Sequence, residues 1–133
     1  MRAIQEDISG MDKELPIERS VHDMMIYAYQ APLKQFPKTE KYGMVSDIKK
    51  CMHDLVWNLE ELKRHYQKKT TLRELDVAVN VLKKYVRLAY DLKFIAPKHY
   101  DIWSGKIGEI GKQVGGMVKD VYGSGSADQN PGV

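Results

Sequence analysis

The sequence predicts an all-α fold, an antiparallel up-down four-helix bundle, on three observations. Apolar residues recur at steps of three and four through four successive stretches. Proline and glycine punctuate the ends of those stretches. No segment of useful length alternates apolar with polar residues, so no strand is expected.

The first helix is expected over residues 17–33, where Ile17, Val21, Met24 or Met25 and Ala28 lie on one face. Pro16 suits its start, Pro32 disturbs its last turn and Pro37 bars its continuation. The second is expected from 39 or 41 to 67. Its apolar positions Val45, Ile48, Met52, Leu55, Leu59, Leu62 and Tyr66 alternate steps of three and four, a heptad-like seam. The third, over 72–94, has one stripe at Leu72, Leu75, Val79, Leu82, Val86 and Ala89. A second stripe, Val81, Tyr85, Leu88, Leu92 and Ile95, widens its apolar face, so burial on more than one side is expected. Thr71 with Glu74 reads as a capping box at its start. The fourth runs over 97–122 on a seam of Trp103, Ile107, Ile110, Val114, Met117 and Val121. Pro97 stands at its first position and Gly123 at its C-terminal cap. Short connections favour antiparallel neighbours.

Five glycines, Gly105, Gly108, Gly111, Gly115 and Gly116, interrupt the fourth helix. Each costs about 1 kcal/mol relative to alanine, so something should compensate. Ser104, Gly108, Gly111 and Gly115 share a face. Such a ridge serves either close packing within the subunit or contact between subunits.

The chain has 133 residues, 29% charged and 43% hydrophobic, which is the composition of one globular domain. One cysteine, Cys51, excludes an internal disulfide and any multi-cysteine metal site. No apolar run approaches the ~20 residues of a membrane span, and the mixed-charge stretch from Met1 to Leu15 does not read as a signal peptide. A cytoplasmic protein is expected. The organisation reads as a polar extension over 1–14, the bundle over 15–122 and a flexible tail over 123–133. The formal charge of +3 conceals a partition. Residues 1–16 carry two basic and four acidic side chains and residues 123–133 a single aspartate, leaving 19 basic against 13 acidic residues over 17–122. Such an excess suits a polyanionic partner as well as solubility.

No catalytic constellation emerges. Glu18 and His22, like Glu61 and His65, are four apart; carboxylate-bridged di-iron bundles use Glu and His three apart, so ion pairing is the plainer reading. Adjacent His53 and Asp54 do not face each other on a helix. Cys51 sits beside the second seam and reads as a small hydrophobe. No phosphate-cradling glycine loop or HExxH occurs. No enzyme, metal or cofactor is expected. The basic clusters are the stronger lead: Lys63, Arg64, Lys68, Lys69 and Arg73 crowd the second turn around His65 and Tyr66. Lys83, Lys84 and Arg87 follow on the third helix. Lys83 and Arg87, four apart, can meet successive phosphates, whereas Arg87 can also pair with Asp91.

Five pieces in order carry a family resemblance. They are Leu15-Pro16-Ile17, the turn from Phe36 to Tyr42, Leu72-Arg73-Glu74-Leu75-Asp76, Leu88-Ala89-Tyr90-Asp91-Leu92, and the run from Glu109 to Gly116. Across 15–119 the chain resembles the accessory variability determinants of diversity-generating retroelements. These belong to a wider four-helix-bundle family that includes proteins encoded in intervening sequences of large-subunit ribosomal RNA genes. It departs at Ala96, where many relatives have a capping Ser, and at Met117, where an aromatic is frequent. The resemblance implies a homopentameric barrel with a basic outer surface. It also implies binding to the element's reverse transcriptase and to template-repeat RNA and DNA, in support of mutagenic complementary-DNA synthesis. The family's basic positions on the third helix fall on Lys83 and Arg87, and Gly108, Gly111, Gly115 and Gly116 then mark a packing or oligomer interface. The alternative is a stand-alone bundle of the intervening-sequence type with a structural or unknown role.

Overall fold

A computed structural model describes residues 13–64 and 68–129. Its long helices are α1 (Pro16–Gln30), α2 (Met44–Arg64), α3 (Lys68–Asp91) and α4 (Pro97–Gln129). A helical turn, Pro32–Gln35, and a 3-10 turn, Lys38–Glu40, link α1 to α2. No strand occurs among the described residues. The extension up to residue 12, His65, Tyr66, the Lys68 side chain and residues 130–133 lie outside the described structure.

Pairs of residues across the helices fix the topology. Lys63 near the end of α2 meets Glu18 near the start of α1. The Cys51 thiol of α2 donates to the Ala78 carbonyl of α3. Lys69 and Tyr122 meet at one end of the α3–α4 pair, Tyr90 and Tyr100 at the other. Gln113 donates to the Ser20 hydroxyl at 2.8 Å, and the Trp103 indole N–H points at Met24 Sδ. Each neighbouring pair is therefore antiparallel. α3 packs closely against both α2 and α4, α4 also takes α1, and α1 and α2 touch least.

The expected seams form the core. Ile17, Val21, Met24 and Ala28 of α1 are buried, as are Val45, Ile48, Met52, Leu55, Leu59 and Leu62 of α2. Leu72, Leu75, Val79, Leu82, Val86 and Ala89 of α3 meet Trp103, Ile107, Ile110 and Val114 of α4. At about 1.5–3 kcal/mol per large side chain removed from water, this seam dominates the stability. The exposed i,i+4 ion pairs, such as Lys50–Asp54, add about 0.5 kcal/mol or less each.

The helix ends differ from expectation for local reasons. α1 stops at Gln30 because Pro32 supplies no amide donor, and the backbone breaks at Ala31 before the next turn. α2 starts at Met44 rather than 39 or 41, its first amide donating to the Glu40 carboxylate at 3.0 Å. A Cβ on Gly43 would meet that carboxylate at 2.9 Å, so the absent side chain makes room for the cap. α3 starts at Lys68, four residues before the expected point, and Thr71 is buried inside the helix instead of capping it. α4 continues through Gly123 to Gln129, because a glycine permits a helix stop without enforcing one.

Lys93 ends α3 in the left-handed region at φ 64°, with Phe94 N–H donating to the Ala89 carbonyl and Lys93 N–H to that of Tyr90. That is a Schellman end with lysine where glycine is preferred. Across the end of the bundle, Phe36 packs on Phe94, and Gln35 accepts from the Ala96 N–H at 2.9 Å while its amide meets His99. The linker thus ties down the entry to α4, where Ala96 has no polar side chain to offer.

Two substitutions test these contacts. Lys93→Gly should raise stability by about 1 kcal/mol in thermal melts, since it removes the left-handed strain. Lys63→Ala should lower it by ~1–3 kcal/mol, because the Lys63 side chain is only 9% exposed and its loss takes the cation from the Glu18 carboxylate.

Candidate nucleic-acid interface

Helical phase divides the surface of α3 into two flanks. Successive residues turn by about 100°. On that count Lys69, Lys83 and Arg87 project from the flank towards α4, and all three are exposed. Arg73 and Lys84 are exposed too, but lie about 80–100° round from Lys83, on the outermost line of the helix, and Arg73 also borders the groove towards α2.

α4 completes this cationic flank. The Lys83 ammonium lies 3.1 Å from where a Cβ on Gly111 would sit, so the missing side chain lets Lys83 lie across the α3–α4 seam. Lys69 sits over the Tyr122 ring at 5.2 Å, and the Tyr122 hydroxyl donates to the Lys69 carbonyl at 3.3 Å. At the far end Tyr90 and Tyr100 stack at 4.2 Å with ring planes 15° apart. Arg87 donates to Asp91 at 3.1 Å, and the Asp91 carboxylate, with Tyr100 beside it, holds the guanidinium above its ordinary pKa. Lys112 and Lys119, exposed and seven residues apart, stand about 80–100° round from Gly111, on the outer line of α4 among Gly108, Gly115 and Gly116. The sequence reading passed over this pair, although the i,i+7 spacing was visible. Residues 68–122 hold eleven basic side chains against six acidic, whereas residues 16–64 hold eight against seven.

The cluster expected at the second turn is divided. Lys63 is turned inward, donating to Glu18 Oε1 at 3.1 Å, while Glu18 also accepts the Leu15 N–H that opens α1. Lys63 therefore serves the fold. Arg64 pairs with Glu60 along its own helix. The Lys68 side chain lies outside the described structure. Lys69 and Arg73 remain on the α3 surface with Lys83, Lys84 and Arg87.

The other flank of α3 is apolar and open. Of the second stripe only Ile95 is buried, and Tyr85 is half-buried. Val81, Leu88 and Leu92 are exposed, together with Val77, so burial on two sides does not hold within one subunit. Facing Val77 and Val81 across a groove of about 1030 Å³, which Arg73 and Glu74 also line, is Trp57 of α2, 69% exposed. Trp57 falls off the seam of α2, and the sequence reading missed it. The glycine ridge also divides. Gly111 alone contacts α3, at Lys83 and Val79. Gly105, Gly108, Gly115 and Gly116 have open space where a side chain would stand, so packing within the subunit does not account for them.

The reactive groups are otherwise engaged. Cys51 is buried, and burial followed by the nearby Asp54 charge pushes its thiol up to about 11, far from a thiolate at neutral pH. Glu18 is taken by Lys63 rather than His22, and His53 shares a 3.0 Å hydrogen bond with the Tyr29 hydroxyl. No group of three or more His, Cys, Asp or Glu side chains is placed to hold a metal among the described residues. No described helix is long and apolar enough to cross a membrane.

Neither the curated proteins nor the solved structures contain a match to this chain. One family model, described as bAvd-like, matches residues 15–121, which takes in all of α1, α2 and α3 and most of α4. That match runs from the Leu15 turn that opens α1 to the seam residues of α4, and the chain belongs to the bAvd-like family.

Proposed function

We propose that this protein is a non-catalytic, cytoplasmic accessory subunit of a diversity-generating retroelement. On this reading it binds the element's reverse transcriptase and its template-repeat RNA, and DNA, while the chemistry of mutagenic complementary-DNA synthesis resides in the transcriptase. The observation that carries the reading is the one-sided charge of the α3–α4 pair, with Lys69, Arg73, Lys83, Lys84 and Arg87 exposed on α3. Such side chains bind phosphates and track a backbone rather than read base edges. Arg87 keeps a partner in Asp91, so it contributes less than a free cation. Membership of the bAvd-like family supports the retroelement reading over a stand-alone bundle.

The same reading takes the subunit as one fifth of a homopentamer. Two unpartnered surfaces support this: the apolar band of Trp57, Val77, Val81, Leu88 and Leu92, and the outer face of α4 with Gly108, Gly115 and Gly116. They are different surfaces on different helices. A head-to-tail contact between unlike surfaces closes a ring when its rotation allows. The basic seam lies between them in angle and stays uncovered.

Two experiments test these claims. Replacing Lys83, Lys84 and Arg87 together with alanine should weaken RNA binding and flatten its logarithmic salt slope by about 2, at roughly 0.7–0.9 per phosphate contact. A folded triple variant that binds unchanged overturns the assignment of this surface. Light scattering should give five times the 15.3 kDa chain mass for the wild type and a monomer for Trp57→Lys. A wild-type monomer at micromolar concentration contradicts the pentamer.

A further inference from the structure

We infer that the nucleic acid taken by the α3–α4 seam is an unpaired strand, whose bases stack on Tyr90, Tyr100 and Tyr122 while its phosphates follow the cations beside them. The inference rests on the basic-face reading above and adds the form of the ligand.

Each of these rings lies on the seam itself and stands next to a cation. Tyr122 lies beneath the Lys69 ammonium, its hydroxyl fixed on the Lys69 carbonyl. Tyr90 and Tyr100 form a near-parallel pair one turn from Arg87. All three are half-buried, so each ring is held by the bundle and still presents part of its surface to solvent. A ring held in this way has already lost its rotational freedom, so stacking a base on it costs little further ordering.

The chemistry separates an unpaired strand from a duplex. Lysine and arginine alone serve either form, because both present phosphates. A duplex keeps its base faces stacked inside the helix, out of reach of a half-buried ring. An unpaired strand offers those faces, and stacking on aromatic side chains beside a positive groove is how sequence-tolerant single-strand binders hold their ligands. From Lys69 to Arg87 the seam runs ~27 Å along α3 at 1.5 Å per residue. That length suits a short strand, within the range of roughly 4–16 nucleotides seen for single-strand binding folds. Lys83, lying across Gly111 midway, supplies a phosphate contact between the two aromatic ends. The rings do not read the 2′-hydroxyl, so RNA and DNA strands should both bind.

The test compares end-labelled 12-nucleotide mixed-sequence RNA and DNA, single-stranded and as blunt duplexes, by fluorescence anisotropy. The proteins are the wild type, Tyr122→Leu, Tyr122→Phe and the triple alanine variant at Lys83, Lys84 and Arg87, each checked by thermal melt. The wild type should bind the single strand at least about tenfold more tightly than the duplex. Tyr122→Leu should lose about tenfold on the single strand alone and Tyr122→Phe should keep it, as expected for one stacked base. The triple variant should lose affinity for both forms. Equal wild-type affinity for strand and duplex overturns the inference, as does a Tyr122→Leu loss that is the same for both. Loss of both forms in the triple variant with no effect of Tyr122→Leu removes the stacking claim and leaves the basic face standing. No loss in the triple variant removes both. Photocross-linking of a 5-bromouracil strand to the wild type needs no substitution. Cross-links at Tyr90, Tyr100 or Tyr122 support the inference, and cross-links confined to other residues contradict it.

Discussion

Everything on the surface of this bundle depends on how α3 is wedged between α2 and α4. Its core line, from Leu72 to Ala89, is buried against both neighbours, and that burial fixes the rotation of the helix. Once the rotation is fixed, the remaining residues have no choice of direction. Val77, Val81, Leu88 and Leu92 must face away from α4, and Lys69, Lys83 and Arg87 towards it. A turn of α3 by one residue, about 100°, would bring charged side chains into the core, at a cost no surface contact offsets. The segregation of an apolar flank from a cationic flank is thus a consequence of packing, and it gives one helix two separate outward tasks.

The opposite half of the bundle is plainer. α1 and α2 carry nearly balanced charge, much of it in pairs such as Arg19–Asp23 and Lys50–Asp54. The half-buried Lys63–Glu18 pair also caps α1 through the Leu15 amide. A charge buried beside its partner is dear to disrupt and of little use to a ligand. The positive potential available to a polyanion therefore comes from the α3–α4 half.

Periodicity made the core legible. The seams of α1 and α2, the first stripe of α3 and the line from Trp103 to Val114 on α4 could be written down from spacing, because a 3.6-residue repeat is a local property. What escaped is non-local. Lys63 and Glu18 stand 45 residues apart, so nothing near Lys63 announced that its charge was already engaged. Five glycines look alike in sequence, yet only Gly111 has α3 against it. Thr71 and Glu74 make a sound capping signal, but Thr71 is drawn into the core and the helix begins earlier. Of the basic residues, those on α3 were found by clustering. Lys112 and Lys119 were not, because they are single charges on a glycine-rich helix.

The central claim is that the α3–α4 face, and not the bundle surface at large, receives nucleic acid. Lysine acetylation of the intact protein, with and without saturating RNA and read residue by residue by mass spectrometry, measures this directly. The account predicts protection of Lys69, Lys83 and Lys84, with Lys34, Lys38, Lys49 and Lys50 as reactive as in the free protein. Protection spread evenly over all seven, or concentrated on the four outside α3, would contradict it.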